Sequence, residues 1–207
     1  MTDLSHQVKH YIMRGSLALL LLGAPQMALA HSNVGGALSF VTGFLHPFTG
    51  IDHLLAMLAV GIWGAQLGGA ALWMLPVSFP LIMALGAVAG ILGLPMLATE
   101  PGIAASVIML GVAIASNLRL PVLGATAFVG IFAIFHGYAH GAELPKEADV
   151  LPYCAGFVLA TGLIHLMGIA VGMLSRRLGS PLLLRAGGAL IAGVGVLLEA
   201  RLMLAPL

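Results

Sequence analysis

The stretch HPFTGIDHLLAMLAVGIW, residues 46–63, decides how the rest of the chain is read. It opens on metal-capable side chains, His46, Asp52 and His53, and runs straight into apolar helix. An aspartate at the middle of a bilayer costs ~2.5–3.5 kcal/mol, less near the interface, so ionisable groups there mark an ion or substrate path. A second stretch answers it: FHGYAHGAELP, residues 135–145, carries His136, His140 and Glu143. The fold must bring these two stretches together if they serve one purpose.

Composition sets the frame. Of 207 residues, 60% are hydrophobic and 7% charged, and the mean hydropathy is +1.10. Soluble domains carry about a quarter charged residues, so this is an all-α, polytopic membrane helix bundle in a lipid bilayer. A net charge of +1 excludes a nucleic-acid partner. Cys154 is the lone cysteine, which rules out an internal disulfide framework and a cysteine-based zinc cluster. Histidines, eight of them, outnumber the seven acidic residues.

Residues 1–30 read as a cleavable signal peptide, with Lys9 and Arg14 before a short apolar core and Ala28-Leu29-Ala30 as the cleavage site. Cleavage leaves His31 as the mature N-terminus, where its amine and imidazole together are a candidate metal ligand. The rest, 31–207, reads as a single membrane domain. Residues 31–49 are too short for a span and fit a lead-in or re-entrant segment. Six spans of near the ~20 residues a crossing needs follow, at 50–68, 71–92, 101–118, 121–142, 151–174 and 182–204. Turn residues separate them, among them Gly68-Gly69, Asn117 to Pro121 and Gly179-Ser180-Pro181.

An exported N-terminus and six spans put both termini outside. The loops then facing the cytoplasm hold Arg119, Arg176 and Arg177, with Arg185 just inside the next helix. The outer side holds Lys146, beside Glu143, Glu147 and Asp149, and the C-terminal end adds Arg201. Basic residues thus gather inside, as membrane insertion favours. On this topology both histidine stretches arrive at the outer face.

Spacings of four and three place His136, His140 and Glu143 on one helical face. His46 and His53, seven apart, share a face only if the helix runs unbroken through Gly50. Asp52 can ligate directly or orient a ligating histidine. Imidazole with carboxylate and no thiolate suits Ni²⁺, Co²⁺, Zn²⁺ or Cu²⁺ better than Mg²⁺ or Ca²⁺. His165 in the fifth span is open between an exit-path ligand and a structural hydrogen bond. Glu199 in the sixth either lines the outer cavity or faces the interface. Gly86-x-x-x-Gly90 and Gly188-x-x-x-Ala192 favour close helix packing.

With the residues in place, the two stretches resemble the two signatures of the HupE/UreJ nickel permeases. His46, Asp52 and His53 match the first, and His136, His140 and Glu143 match the second. The resemblance implies uptake of Ni²⁺, in some members Co²⁺, across the bacterial inner membrane for hydrogenase or urease assembly. It implies a secondary transporter without a resident cofactor, the ion being cargo. No GxxxxGK[ST] loop is present to hydrolyse nucleotide. Two alternatives are an intramembrane metal-dependent enzyme, disfavoured because HExxH is absent, and a haem-binding membrane subunit with paired histidines.

Overall fold

In the computed structural model, residues 35–204 are described, and every regular element among them is helical. The signal peptide expected at 1–30 and His31 lie outside the described residues. A short helix α1 (Gly36–Leu45) leads through a 3₁₀ turn (His46–Phe48) into α2 (Ile51–Leu67). There follow α3 (Ala71–Ile91), α4 (Thr99–Ala115), α5 (Val122–Ala142), α6 (Val150–Arg177) and α7 (Pro181–Leu204).

Helices α2 through α7 fall on the six segments expected to span, but α2 and α4 have only 17 residues each. Four helices, α3, α5, α6 and α7, are long and apolar enough to cross a membrane. A fifth appears if α1 and α2 count as one broken span, bent by 78°. Helix α4, expected over 101–118, stops at Ala115 after 17 residues. Its end has a local cause. Asn117 takes a left-handed conformation at φ 54°, and the Leu118 N–H closes back on the Ala113 carbonyl.

The bend before α2 also settles the register of the first stretch. Gly50 is extended, at φ −101° and ψ 117°, so the helix does not run unbroken through it. His46 and His53 therefore belong to different elements and meet across a corner.

The helices pair closely: α3 with α5, α4 with α7, and α6 with both α1 and α2. Glycine makes the approach possible. A Cβ on Gly137 or Gly141 of α5 would collide with the backbone carbonyl of Met83 or Ala87 on α3. Reciprocally, one on Gly86 or Gly90 would strike the carbonyl of Ile134 or Tyr138. Gly188 of α7 likewise sits against the backbone of Gly111 and Ala115 on α4. Without a hydrophobic drive between helices in lipid, such backbone contact supplies the packing.

The polarity of the bundle is inverted relative to a soluble protein. Leu85 and Leu190 are 70% and 73% exposed, whereas His53, Gln66, Ser106, His136, His140, Thr161 and His165 are buried. Leucine outside and imidazole inside is stable only where the surroundings are hydrocarbon.

Candidate metal site

The corner at Gly50 and the end of α5 enclose a pocket of about 220 Å³, lined by His46, Thr49, Gly50, Asp52, His53, Glu100, His140 and Glu143. Both sequence stretches contribute to this lining. His46 comes from the 3₁₀ turn, Asp52 and His53 from the first turn of α2, and His140 from the last turn of α5. Glu143 caps α5 just beyond it.

At the mouth, His46 Nε2 lies 3.0 Å from His140 Nδ1 and 3.5 Å from Glu143 Oε2. Ligand atoms of these three residues fall within 4.8 Å of one another. Two ring nitrogens so close must share one proton, and a divalent ion bound there takes that proton's place. Hydrogen bonding to His46 holds the Glu143 carboxyl below its ordinary value, outweighing the opposing effect of partial burial. Glu143 thus stays anionic and favours a cation.

Deeper, Asp52 orients rather than reaches. Its Oδ1 accepts from both the backbone N–H and the Nδ1–H of His53, each at 2.8 Å. An ionised carboxylate can only accept, so His53 carries its proton on Nδ1 and presents a bare Nε2. That Nε2 is buried and has no hydrogen-bond partner among the described residues.

His136 is prepared in the same way by a residue the sequence reading missed. The Ser106 hydroxyl, on α4, donates to the Ile103 carbonyl at 2.6 Å. With its proton used, Ser106 Oγ accepts from His136 Nε2–H at 2.8 Å. The lone pair of His136 is left on Nδ1, which is buried and unpartnered among the described residues.

The imidazoles form a ladder into the bundle. Ring centroids are 4.9 Å apart for His46 and His140, 4.3 Å for His140 and His53, and 4.6 Å for His53 and His136. His136, His140 and Glu143 share a helical face, but they divide the work. His140 and Glu143 join His46 at the mouth, whereas His136 sits one level down against His53. Phe157 packs on His140 at 4.4 Å, closing one side of the ladder with an apolar ring.

Glu100 is the second residue the sequence reading missed. It lines the pocket from the first turn of α4. Its signal was available, since a carboxylate at the head of an apolar helix is the feature that singled out Asp52. Ser106 had none, because a serine inside an apolar helix usually bonds its own backbone. Glu199 does not line this pocket.

Fold and site define a class: a multi-pass helical membrane protein with an interior histidine and carboxylate site able to hold a divalent transition-metal ion. The chain belongs to the HupE/UreJ family, whose model, described as HupE / UreJ protein, matches residues 19–198. It is similar to Protein HupE of Rhizobium leguminosarum bv. viciae, with 41% identity over 172 residues, 83% of this chain and 90% of that relative. No solved structure matches it. The resemblance carried by the two motifs is thereby borne out. HupE/UreJ is a transporter family and not an enzyme family.

Proposed function

We propose that this chain is an inner-membrane permease that takes up Ni²⁺, with Co²⁺ as a second cargo, for hydrogenase or urease maturation. The single observation that carries the reading is the ladder of imidazoles descending from the pocket, two of them with their lone pairs bare. In this reading α2 through α7 are the six spans, the signal peptide is removed, both termini lie in the periplasm, and the pocket faces outward.

The residues divide the task by chemistry. Glu143, Asp52 and Glu100 give the pocket negative charge, which concentrates cations at its mouth. His46, His140 and Glu143 exchange their donor atoms for water on the arriving ion. His53 and His136 then offer nitrogens one level deeper. With neighbouring rings 4.3–4.9 Å apart, the ion gains a new ligand before the last one is released. Partial replacement of this kind avoids the large cost of stripping a divalent ion in hydrocarbon. The mature N-terminal His31 adds an amine and an imidazole that capture Ni²⁺ before it reaches the pocket.

Cells expressing the chain should accumulate radiolabelled Ni²⁺ and Co²⁺, each competed by Zn²⁺ in proportion to its fit to the site. Accumulation of neither ion above cells lacking the chain defeats the proposal. Mass spectrometry of the purified protein should find His31 as its first residue. An intact N-terminal segment removes His31 from the ligand set.

A further inference from the structure

Beyond His136 the bundle holds one more imidazole. His165, on α6, is 2% exposed, and neither Nδ1 nor Nε2 has a hydrogen-bond partner among the described residues. Thr161 stands one turn earlier on the same face of α6. It too is fully buried, and its hydroxyl has no hydrogen-bond partner among the described residues, not even the carbonyl four residues back that helical threonines commonly use. The Phe79 ring packs edge-on against His136 at 5.6 Å and against His165 at 5.5 Å. His165 is therefore the next imidazole after His136, with the Phe79 ring in contact with both.

A buried polar atom left without a partner destabilises the fold. Here three such atoms lie within one turn of helix, in a place where an apolar side chain would pack at no cost. The position is also held firmly. A Cβ on Gly61 of α2 would strike the His165 carbonyl, and one on Gly168 would strike the Leu58 carbonyl, so α2 and α6 are locked together here.

We infer that His165 and Thr161 form a second, inner stop for the transported divalent transition-metal ion. The stop offers one imidazole lone pair and one hydroxyl oxygen, the remaining positions being filled by water that travels with the ion. This rests on the permease reading and extends it. The outer pocket has several imidazoles and carboxylates and holds the ion well. The inner stop has one imidazole and no carboxylate, so it holds the ion weakly. Strong capture followed by weak holding is what conduction requires, since an ion must leave as well as arrive.

The test uses the full chain purified and reconstituted in liposomes. Replacing His165→Leu should slow Ni²⁺ and Co²⁺ flux roughly tenfold or more, the lower end of what even outer-shell metal partners cost. The visible spectrum of Co²⁺ bound at the outer pocket should stay unchanged, which shows that the variant is folded. Thr161→Val should slow flux by less. In a Cys154→Ser background, His165→Cys should add a thiolate-to-cobalt charge-transfer band once Co²⁺ is supplied. Wild-type flux in His165→Leu, or no thiolate band with the outer pocket loaded, overturns the inner stop. Absence of flux in the wild-type protein defeats the permease reading instead. The thiolate band, an equilibrium signal, then still decides whether the ion reaches this position.

Discussion

The two ends of the bundle are built from the same kind of helix and carry opposite chemistry. At one end α2 begins, and the pocket there gathers His46, Asp52, His53, Glu100, His140 and Glu143. At the other end α2 finishes, about 25 Å away for 17 residues of helix. A pocket of about 340 Å³ opens there, lined by Gln66, Asn117, Arg119, Ser175, Arg176 and Arg185 among others, with no Asp or Glu. Each arginine is spent on the carbonyl end of a helix. Arg119 donates to Gln66 O at 2.6 Å, Arg176 to Ala65 O at 2.9 Å and Arg185 to Ala115 O at 2.8 Å. Carbonyl ends are electron-rich and unsatisfied, so cations settle on them. The difference separates two uses of charge. Guanidinium groups here secure helix ends, whereas His53 and His136 opposite are each held with a lone pair unused.

The comparison breaks or sharpens under substitution. The largest effect belongs to the acidic end. His53→Ala or His140→Ala should lower Ni²⁺ uptake by roughly a hundredfold, with protein level and membrane insertion normal. Asp52→Asn and Glu143→Gln should follow closely. Because a metal needs several ligands at once, joining His53→Ala to His140→Ala should be little worse than either alone. Additive losses in the double variant separate the two histidines into independent jobs.

Ser106→Ala comes next. It removes the acceptor that keeps the His136 proton on Nε2, and uptake should fall roughly tenfold. Ser106→Thr, which keeps the hydroxyl, should recover most of the rate. Equal rates in both variants remove Ser106 from the site.

Acid should act on the same end. Imidazole binds metal only as the neutral base, so protons compete with the ion and uptake at fixed membrane potential should fall on acidification from pH 7.5 to pH 5.5. Glu143, held below the ordinary carboxylate value by His46, remains charged through that range and does not contribute to the loss. A flat profile places first capture on the carboxylates alone.

The arginine end should respond least. Arg119→Gln or Arg185→Gln removes a favourable charge at a helix terminus, worth about 0.3–1 kcal/mol, and uptake should stay within about twofold of wild type. Melting in detergent should shift downward slightly. A large loss of uptake with unchanged melting makes this pocket part of the ion's way out.

Much of this was legible in the residues. Long apolar runs divided by glycine and proline place the helices, because hydrocarbon leaves the backbone no partner except itself. The polar groups that line the pocket also stood out in the sequence, since an imidazole or carboxylate within such a run needs a reason to be there. Less visible was the exact end of α4, expected at 118, where Ser116 and a left-handed Asn117 close the helix at Ala115 instead. His46 and His53 were expected to share a face only on a continuous helix. They share a pocket because Gly50 breaks it.

What pattern and composition settled was therefore one-dimensional: which segments are helical, which groups are too polar for lipid, and which ion chemistry they suit. The division of the imidazoles into a mouth and a deeper level came from the fold. So did the bare nitrogen of His136 and the place of His165 beyond Phe79. Those depend on which residue of a distant helix stands against each ring, and backbone contact at Gly86, Gly137 and Gly141 sets that register. A proton on an imidazole is placed by its neighbour across the bundle, and Ser106 is thirty positions from His136 along the chain.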